Sequence, residues 1–214
     1  VNGNPAPLQA FDIVYIYNKA DLTGGVPNFG ATPIATATVS GTDVAAGKIT
    51  LTATSAFTQG TSTLVAIAKT QAGSLGSASP DFTMTVDTTA QAAPGAPDLL
   101  AADDTGSSNT DNITSNLLPR LDVSLTGTGA VAGDRVQIRG PGGAFTVYGV
   151  AVLTPADITA GTVTVQLATI LPEGQTALTA RVVDIAGNPG TDSGAFSITV
   201  DTTDPSAPSS LVLD

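Results

Sequence analysis

The stretch Phe82-Thr83-Met84-Thr85-Val86-Asp87-Thr88-Thr89 occurs twice in this chain, the second time as Phe196-Ser197-Ile198-Thr199-Val200-Asp201-Thr202-Thr203. The likeness extends outward, because residues 43–100 align without a gap onto residues 157–214 at a constant offset of 114 residues. A repeat of this length has the size of a domain and exceeds the roughly 20–50 residues of a solenoid unit. The sequence therefore predicts tandem domains of one kind.

The repeat divides the 214 residues into three parts. We predict a first domain over residues 1–89 and a second domain over residues 90–204, which begins with an acidic linker. Residues 205–214 are interpreted as the start of a further linker or repeat, because Ser209–Asp214 aligns with Gly95–Leu100. Two copies followed by the beginning of a third are typical of a piece of a longer string of domains.

Apolar and polar residues alternate along most of the shared segments, which is the pattern of strands with one buried face. Single helical turns are predicted at Asp43–Gly47 and Asp157–Gly161. Short strands at this spacing, separated by turn residues, predict an all-β fold of tandem immunoglobulin-like β-sandwiches. The paired strands are Ile13–Tyr17 with Val136–Ile138, Gly47–Thr52 with Gly161–Gln166, Thr63–Ala68 with Ala177–Val182, and Phe82–Val86 with Phe196–Val200.

The charged residues support a loop-rich β protein and exclude several partners. The acidic residues are seventeen Asp and a single Glu, Glu173. Asp favours turns, caps and metal-binding loops, whereas Glu favours helices. Seven basic residues against 18 acidic ones give a net charge of −11. We therefore expect no binding to nucleic acid and no direct insertion into a membrane.

The chain contains neither Cys nor His. This excludes disulfides, thiol nucleophiles, imidazole bases and the thiolate or imidazole ligands of transition metals. Glu173 has no obvious carboxylate partner of the kind that a glycosidase needs. We therefore expect no enzymatic activity. Direct binding of a ligand such as a sugar stays open through Tyr15, Tyr17 and Tyr148, although packing on the sheet with the hydroxyls in water is the favoured interpretation of these residues.

The two copies differ at their beginnings. In the second copy Leu121–Leu125 is predicted to be the first strand, and a polar stretch over residues 103–112 precedes it. The first copy has neither, since residues 1–11 are few and rich in Pro and Gly. A missing edge strand leaves backbone donors and acceptors open. Two alternatives follow: the first domain is truncated or has a variant first strand within residues 1–11, or another chain completes it.

Asp and Asn residues predict a cation site at one end of the second domain. If strands alternate in direction, the loop over residues 184–190 returns to the end where the linker arrives. Neither segment contains a basic residue to neutralise the carboxylates gathered there. Calcium takes roughly six to eight oxygen ligands from Asp, Asn and carbonyl groups. The predicted calcium ligands are Asp87, Asp98, Asp103, Asp104, Asn109, Asp111, Asp184 and Asn188.

Comparison of the copies supports this site. The first copy lacks the acidic stretch, and its equivalent loop is Thr70-Gln71-Ala72-Gly73-Ser74, in which both Asp184 and Asn188 are replaced. The candidate ligands are thus lost together. The alternative is that these Asp, Asn, Ser and Thr residues form ordinary turns. An EF-hand is excluded, because the spacing does not match and no Glu closes the loop.

Three spaced motifs carry a family resemblance: Val86-Asp87-Thr88-Thr89, residues 103–114, and Asp184-Ile185-Ala186-Gly187-Asn188. As a set they resemble the bacterial immunoglobulin-like repeats that extend large surface adhesins of the RTX and biofilm type. The resemblance covers residues 82–214 well and residues 1–81 only through the internal repeat. It departs at Ser115–Leu121, where the family more often has a Thr-rich lead into the first strand. It implies a location on the bacterial cell surface, a mechanical role, and calcium at domain junctions.

Two functions are weighed on these grounds. The first is a structural, non-catalytic extender or stalk segment of a large bacterial surface adhesin, whose partners are neighbouring repeats of the same chain. Pro-rich linkers would limit bending, and calcium would stiffen the interdomain junction. The alternative is a self-assembling surface filament or surface-layer subunit, in which identical subunits donate strands to one another. Residues 1–11 or 209–214 would be the donor segments.

Overall fold

A computed structural model of the protein describes residues 7–140 and 146–207. The chain divides into two compact units, Val1–Asp87 and Thr88–Asp214. Strands predominate in the described part of each unit, as the all-β prediction requires.

The first unit contains one antiparallel sheet of four strands, in the order β4-β1-β5-β6. A short hairpin, β2-β3, forms a separate two-stranded sheet. The elements of this unit are β1 (Ile13–Asn18), a 3-10 turn (Lys19–Asp21), β2 (Leu22–Thr23), β3 (Val26–Pro27), β4 (Ala35–Thr38), α1 (Gly41–Ala46), β5 (Gly60–Lys69) and β6 (Phe82–Val86).

The second unit is a sandwich of two sheets, a five-stranded sheet in the order β11-β10-β13-β14-β8 and a three-stranded sheet in the order β12-β9-β7. All neighbouring strands are antiparallel except β14 and β8, which are parallel. The elements are β7 (Asp98–Leu99), β8 (Ile113–Thr114), β9 (Arg120–Ser124), β10 (Arg135–Gly140), β11 (Thr146–Val152), α2 (Pro155–Ala160), β12 (Thr162–Gln166), β13 (Gly174–Val183) and β14 (Phe196–Val200).

The core of the second unit lies between these two sheets, as the alternating pattern predicts. Inward-facing residues of β9, β10, β12, β13 and β14 have almost no exposed surface, while their neighbours along each strand are exposed or half-buried, except Arg139 on β10, which is also buried. Burial of this apolar area is the main stabilising contribution to such a domain. The predicted immunoglobulin-like sandwich is confirmed in this unit. Its fully buried residues include Leu121, Val123, Val136, Ile138, Val165, Leu178, Ala180, Val182 and Ile198.

Both units form the predicted helical turn, and both begin it with a capping box. In α2 the Thr154 backbone N–H donates to Asp157 Oδ2 at 2.8 Å, and Asp157 N–H donates back to Thr154 Oγ1 at 3.3 Å. Ser40 and Asp43 repeat this arrangement in α1. Such caps satisfy backbone donors that a helix start leaves open. The Thr154 hydroxyl and backbone N–H hold the pKa of Asp157 below its ordinary value.

The prediction of a strand over Gly47–Thr52 is wrong, because residues 48–53 form no strand. The aligned strand β12 exists in the second unit because it pairs with β9 over its whole length. No strand equivalent to β9 is found among the described residues of the first unit. A strand without a hydrogen-bonded neighbour leaves its backbone groups unsatisfied. Strand formation at residues 48–53 thus depends on a partner rather than on local sequence.

The first unit has an insertion, because Asp12 and Asp43 are eight residues further apart than the aligned Asp134 and Asp157, and part of this insertion packs on the outer face of the sheet. Tyr17, Val65 and Ile67 form a small buried cluster on that face, and Leu22 and Ala31 from the insertion pack against it. The Tyr15 and Tyr17 rings lie 6.0 Å apart, and burial raises the pKa of Tyr17. The first unit therefore buries part of its apolar surface on the side of the sheet that faces away from a sandwich core.

Candidate acidic site in the second unit

Asp103 and Asp104 precede β9 and are both buried. Asp103 accepts hydrogen bonds from the backbone N–H of Arg120 at 2.7 Å, from its Nε at 2.9 Å and from its Nη2 at 2.8 Å. The pKa of Asp103 is lowered, chiefly by these side-chain hydrogen bonds, while partial burial opposes the shift. Neither of the two acidic segments contains a basic residue, but Arg120, which lies outside both, neutralises Asp103.

Asp104 lacks such compensation. Asp104 has only 6% of its surface exposed. Oδ2 accepts a hydrogen bond from the backbone N–H of Asn112 at 3.1 Å. Oδ1 is buried and accepts no hydrogen bond from any residue that the structure describes. An ionised carboxylate in this position is costly unless a cation or further donors reach it.

The segment after Asp104 bends back so that the Asn112 N–H reaches this carboxylate. Asp111 is exposed and accepts from the backbone N–H of Ile113 at 3.2 Å, and Asn109 is exposed. Asn112 has a left-handed backbone conformation, with φ of 60°. Side chains of Asn tolerate that region better than most, so the sequence permits the sharp bend that brings the Asn112 N–H to Asp104.

The last strand, β14, ends beside this acidic stretch. The Thr199 N–H donates to the Asn112 carbonyl at 2.9 Å, and the Asp201 N–H donates to the Thr114 carbonyl at 3.0 Å. Thr202 then hydrogen-bonds the Glu173 carboxylate through its backbone N–H and its hydroxyl. The acidic stretch is therefore built against the segment that follows the last strand.

Asp184 and Asn188 lie at the opposite end of the sandwich. Asp184 follows Val183, which pairs with Arg135 at the start of β10, whereas β9 begins beside Asp103 and runs toward that end. The Asn188 backbone N–H and Nδ2 each donate to the Asp184 carboxylate at 2.8 Å. The Asn188 side chain is the largest cause of a lowered pKa at Asp184.

The predicted convergence of Asp184 with Asp103, Asp104 and Asp111 on one end is therefore wrong. The linker does not stop where it arrives, because Asp98–Leu99 forms β7 and pairs antiparallel to β9. This strand carries the chain across the sandwich before it reaches Asp103. Asp98 is exposed on β7 opposite Asp122. Asp87 belongs to the first unit, where its carboxylate accepts from Gln59 Nε2 at 3.0 Å.

Two structural residues at these ends were not among the predicted ligands. Asp134 has 1% of its surface exposed and accepts from the backbone N–H groups of Val131 and Ile185 at 2.9 and 3.2 Å, tying two loops together. Arg120 ties Asp103 to β9. Asp134 aligns with Asp12 just before a strand in both copies, a position that indicates a loop-capping role. No pattern in the sequence around Arg120 indicates its ion pair with Asp103.

Among residues 7–140 and 146–207, no group of three or more acidic side chains lies close enough to hold a metal ion. A cation at Asp104 would therefore need amide, carbonyl or water oxygens as well as carboxylates, which is within the ordinary ligand range of calcium. Within the same residues, the structure has no helix both long and apolar enough to cross a membrane.

Comparison with known proteins gives one family match and distant structural likenesses. The family described as bacterial Ig-like domain matches residues 90–202. Fibronectin(III)-like modules of CbhA from Clostridium thermocellum match with a TM-score of 0.48 and 17% identity, over 92% of this chain and 82% of that chain. A Ca2+-stabilized adhesin that helps an Antarctic bacterium reach out and bind ice matches with a TM-score of 0.35 and 18% identity, over 92% and 42%. No curated protein matches the sequence.

Proposed function

Because this chain belongs to the family of bacterial Ig-like domains, we propose that it is a structural, non-catalytic extender segment of a large bacterial cell-surface adhesin. The internal repeat supports this role, since domains of one kind in series lengthen a protein without adding a reactive site. The absence of Cys and His from the sequence supports a non-catalytic role. The expected partners are neighbouring repeats of the same chain, and neither nucleic acid nor the membrane interior is expected to bind.

Calcium is proposed to stabilise the acidic end of the second unit. The observation that carries this part is the buried Asp104 Oδ1, which has a negative charge to share and accepts no hydrogen bond from the described residues. Asp104 would hold the ion, with Asp111, Asn109 and nearby carbonyl groups as further ligands. Asp103 is less suitable, because Arg120 already engages both of its oxygens.

The proposed calcium position lies at the end of the second unit that holds Asp103 and Asp104, away from Asp184 and Asn188. The acidic stretch is hydrogen-bonded to Thr199 and Asp201, at the end of the sandwich where the last strand ends. Calcium bound there would fix the acidic loop against that segment. Its mechanical effect is therefore expected on the connection that follows Asp201, while Asp184 and Asn188 complete their own turn at the other end.

Thermal unfolding in calcium, in magnesium and in excess chelator tests this proposal. The chain has no Trp and only three Tyr, so Tyr148→Phe confines the tyrosine signal to Tyr15 and Tyr17 in the first unit. Conversely, Tyr15→Phe with Tyr17→Phe leaves Tyr148 as the reporter of the second unit. Calcium at one hundred times its Kd should stabilise the second unit by about 2.7 kcal/mol. Equal Tm values in calcium and chelator would contradict the calcium role.

The surface location has its own test. Antibodies raised against this segment should label intact bacterial cells, and brief protease treatment of those cells should remove the label. Labelling only after the cells are opened would contradict a surface adhesin, whatever the effect of calcium. The calcium role and the surface location can therefore be contradicted independently of each other.

A further inference from the structure

The segment that leads into β7 is hydrogen-bonded to the second unit like an extension of that strand. The Ala92 N–H donates to the Thr128 carbonyl at 3.1 Å, and the Gly95 N–H donates to the Ser124 carbonyl at 2.9 Å. These bonds continue the antiparallel pairing of β7 with β9 back along the chain. Pro94, which lies between the two donors and has no N–H of its own, is buried. This part of the linker is therefore attached to the second unit rather than free in solvent.

Gln91 is the residue at which this attachment begins. A Cβ added to Gly190 would lie 2.5 Å from the Gln91 carbonyl oxygen, so a larger residue at position 190 would displace the linker backbone. The side-chain amide of Gln91 lies 3.3 Å from Asp134 Oδ2, and 3.1 and 3.2 Å from the carbonyl groups of Thr128 and Gly129. Its nitrogen therefore has an acceptor in either orientation of the amide. Gly190 and these acceptors fix the point at which the linker joins the second unit.

The segment after the last strand, Asp201-Thr202-Thr203, has a second attachment, to Glu173. This carboxylate accepts from the Thr202 N–H at 3.2 Å, from the Thr202 hydroxyl at 2.8 Å and from the Thr203 hydroxyl at 3.1 Å. The Thr202 hydroxyl and backbone N–H hold the pKa of Glu173 below its ordinary value. The Thr203 N–H also donates to the Asp201 carboxylate at 3.0 Å. The segment is therefore fixed to the residue that immediately precedes β13.

The first unit has a related contact at the aligned position. Gln59 aligns with Glu173, and Asp87-Thr88-Thr89 aligns with Asp201-Thr202-Thr203. Gln59 Nε2 donates to Asp87 Oδ1 at 3.0 Å. In both repeats, a polar side chain at this position therefore binds the Asp-Thr-Thr segment that follows the last strand.

We propose that the connection between the two repeats is held by hydrogen bonds on both sides, with Ala90 as its single hinge residue. On one side Gln59 fixes the Asp-Thr-Thr segment to the preceding domain, and on the other side Gln91 is fixed to the following domain. Ala90 is exposed and is the only residue between Thr89 and Gln91. A hinge of one residue limits bending without a metal ion. The mechanical meaning of this device rests on the extender role proposed above, whereas the hydrogen bonds do not.

NMR relaxation of the backbone amides of the full chain, in excess chelator, tests the proposal. The amides of Ala92, Gly95 and Thr202 should have order parameters of about 0.85, the value of rigid backbone. The Ala90 amide should have the lowest order parameter between residues 86 and 95. The chelator excludes calcium as the cause of this order.

Variants of two glycines test the attachment at Gln91. In Gly190→Ala the new methyl group displaces the Gln91 carbonyl, so hydrogen exchange at the Ala92 amide should become about tenfold faster. The matched control is Gly194→Ala, whose added Cβ has only an ordinary contact of 4.0 Å with Ala96 and should leave this exchange unchanged. The Tm reported by Tyr148 shows whether each variant folds. Gln91→Ala should act in the same direction as Gly190→Ala and adds no methyl group to the loop.

Variants of the second attachment test the role of Glu173. In Glu173→Ala the Thr202 amide loses its acceptor, and its hydrogen exchange should become about tenfold faster. The Thr199 amide, which donates to the Asn112 carbonyl, is the internal reference and should exchange at an unchanged rate. Thr202→Val should have a smaller effect in the same direction, and Thr202→Ser, which keeps the hydroxyl, should restore the wild-type rate.

Three results would overturn the proposal. The first is that the wild-type amides of Ala92 and Thr202 are as mobile as that of Ala90. The second is that the two units of the wild type tumble independently in chelator, because a hinge of one residue would then not limit bending. The third is order that appears only when calcium is added, which would assign the connection to the metal. Failure of the cell-labelling test would contradict the extender role and leave these hydrogen-bond measurements unaffected.

Discussion

At the scale of single residues, Asp103 and Asp104 are adjacent in the sequence, but their carboxylates differ in how fully they are hydrogen-bonded. Asp103 is held by a two-pronged ion pair with Arg120, and such charge-assisted pairs are among the stronger hydrogen bonds. Asp104 is buried to a similar extent, yet one of its oxygens accepts no hydrogen bond from the described residues. The first carboxylate therefore stabilises the fold directly, while the second is the proposed anchor for a cation.

Replacement of Asp103 should destabilise the second unit. Asp103→Ala removes the acceptor of three hydrogen bonds from Arg120, and we expect the free energy of unfolding to fall by about 2 kcal/mol. Chemical unfolding followed through Tyr148 measures this change. Asp98→Ala, at an exposed position on β7, is the matched control and should change the stability little. Equal effects of the two substitutions would contradict the structural role of the ion pair.

The same ion pair predicts a pH dependence. The pKa of Asp103 is lowered from 3.8 in the folded state, so its contribution is complete above that unfolded-state value. The contribution is lost as the pH falls through the lower folded-state pKa. Unfolding measured between about pH 5 and pH 2 should show this loss. In Asp103→Asn the decline should be shallower, and an unchanged slope would assign the acid sensitivity to other carboxylates.

Asp104→Asn should separate folding from calcium binding. The amide removes a buried charge, so in chelator the second unit should be as stable as the wild type or more stable. The stabilisation by calcium should be lost, because the anchoring carboxylate is gone. Titration with calcium, read through the Tm at Tyr148, measures both effects. Asp184→Asn, at the other end of the sandwich, should retain the calcium response.

At the scale of elements, the two capped turns show which structures follow from local sequence. α1 and α2 form in both units because each contains its own capping residues and a glycine in the left-handed region after the last turn. Residues 48–52 and 162–166 are aligned as closely, yet only the second segment forms a strand. A strand needs hydrogen bonds from a neighbour, and that neighbour is β9.

Removal of the cap should have a similar effect in both units. Thr154→Ala and Ser40→Ala each remove the hydroxyl that accepts from the backbone N–H at the third helical position. We expect a loss of about 1 kcal/mol in the unit that carries the substitution. The tyrosine reporters distinguish the two units. Thr154→Ser and Ser40→Thr, which keep the hydroxyl, should recover most of the stability.

At the scale of the whole molecule, the two units differ in how completely their apolar surface is buried. The second unit closes its core between two sheets, whereas the described residues of the first unit form one four-stranded sheet and a short hairpin, with an apolar groove along the face that carries Ile16, Leu64 and Met84. Buried apolar area is the main source of domain stability. The difference between the repeats is therefore expected to appear as a difference in stability.

We accordingly expect the chain to unfold in two transitions. The Tyr15 and Tyr17 signal should change at a lower temperature than the Tyr148 signal, and only the second transition should shift with calcium. Differential scanning calorimetry together with the tyrosine variants measures both transitions. A single transition seen by all three tyrosines would contradict independent stability of the two units.

The sequence by itself determined the all-β class, the repeat, the capped turns and most of the paired strands. These features depend on the alternation of apolar and polar residues along a strand and on capping residues, both of which act over a few positions. Only the tertiary structure decided the ends of the sandwich at which the acidic residues lie, because one short strand, Asp98–Leu99, carries the chain from one end to the other. It also decided that Arg120 neutralises Asp103 and that residues 48–52 form no strand. Both outcomes depend on partners distant in the sequence, and no local pattern indicates whether such a partner is present.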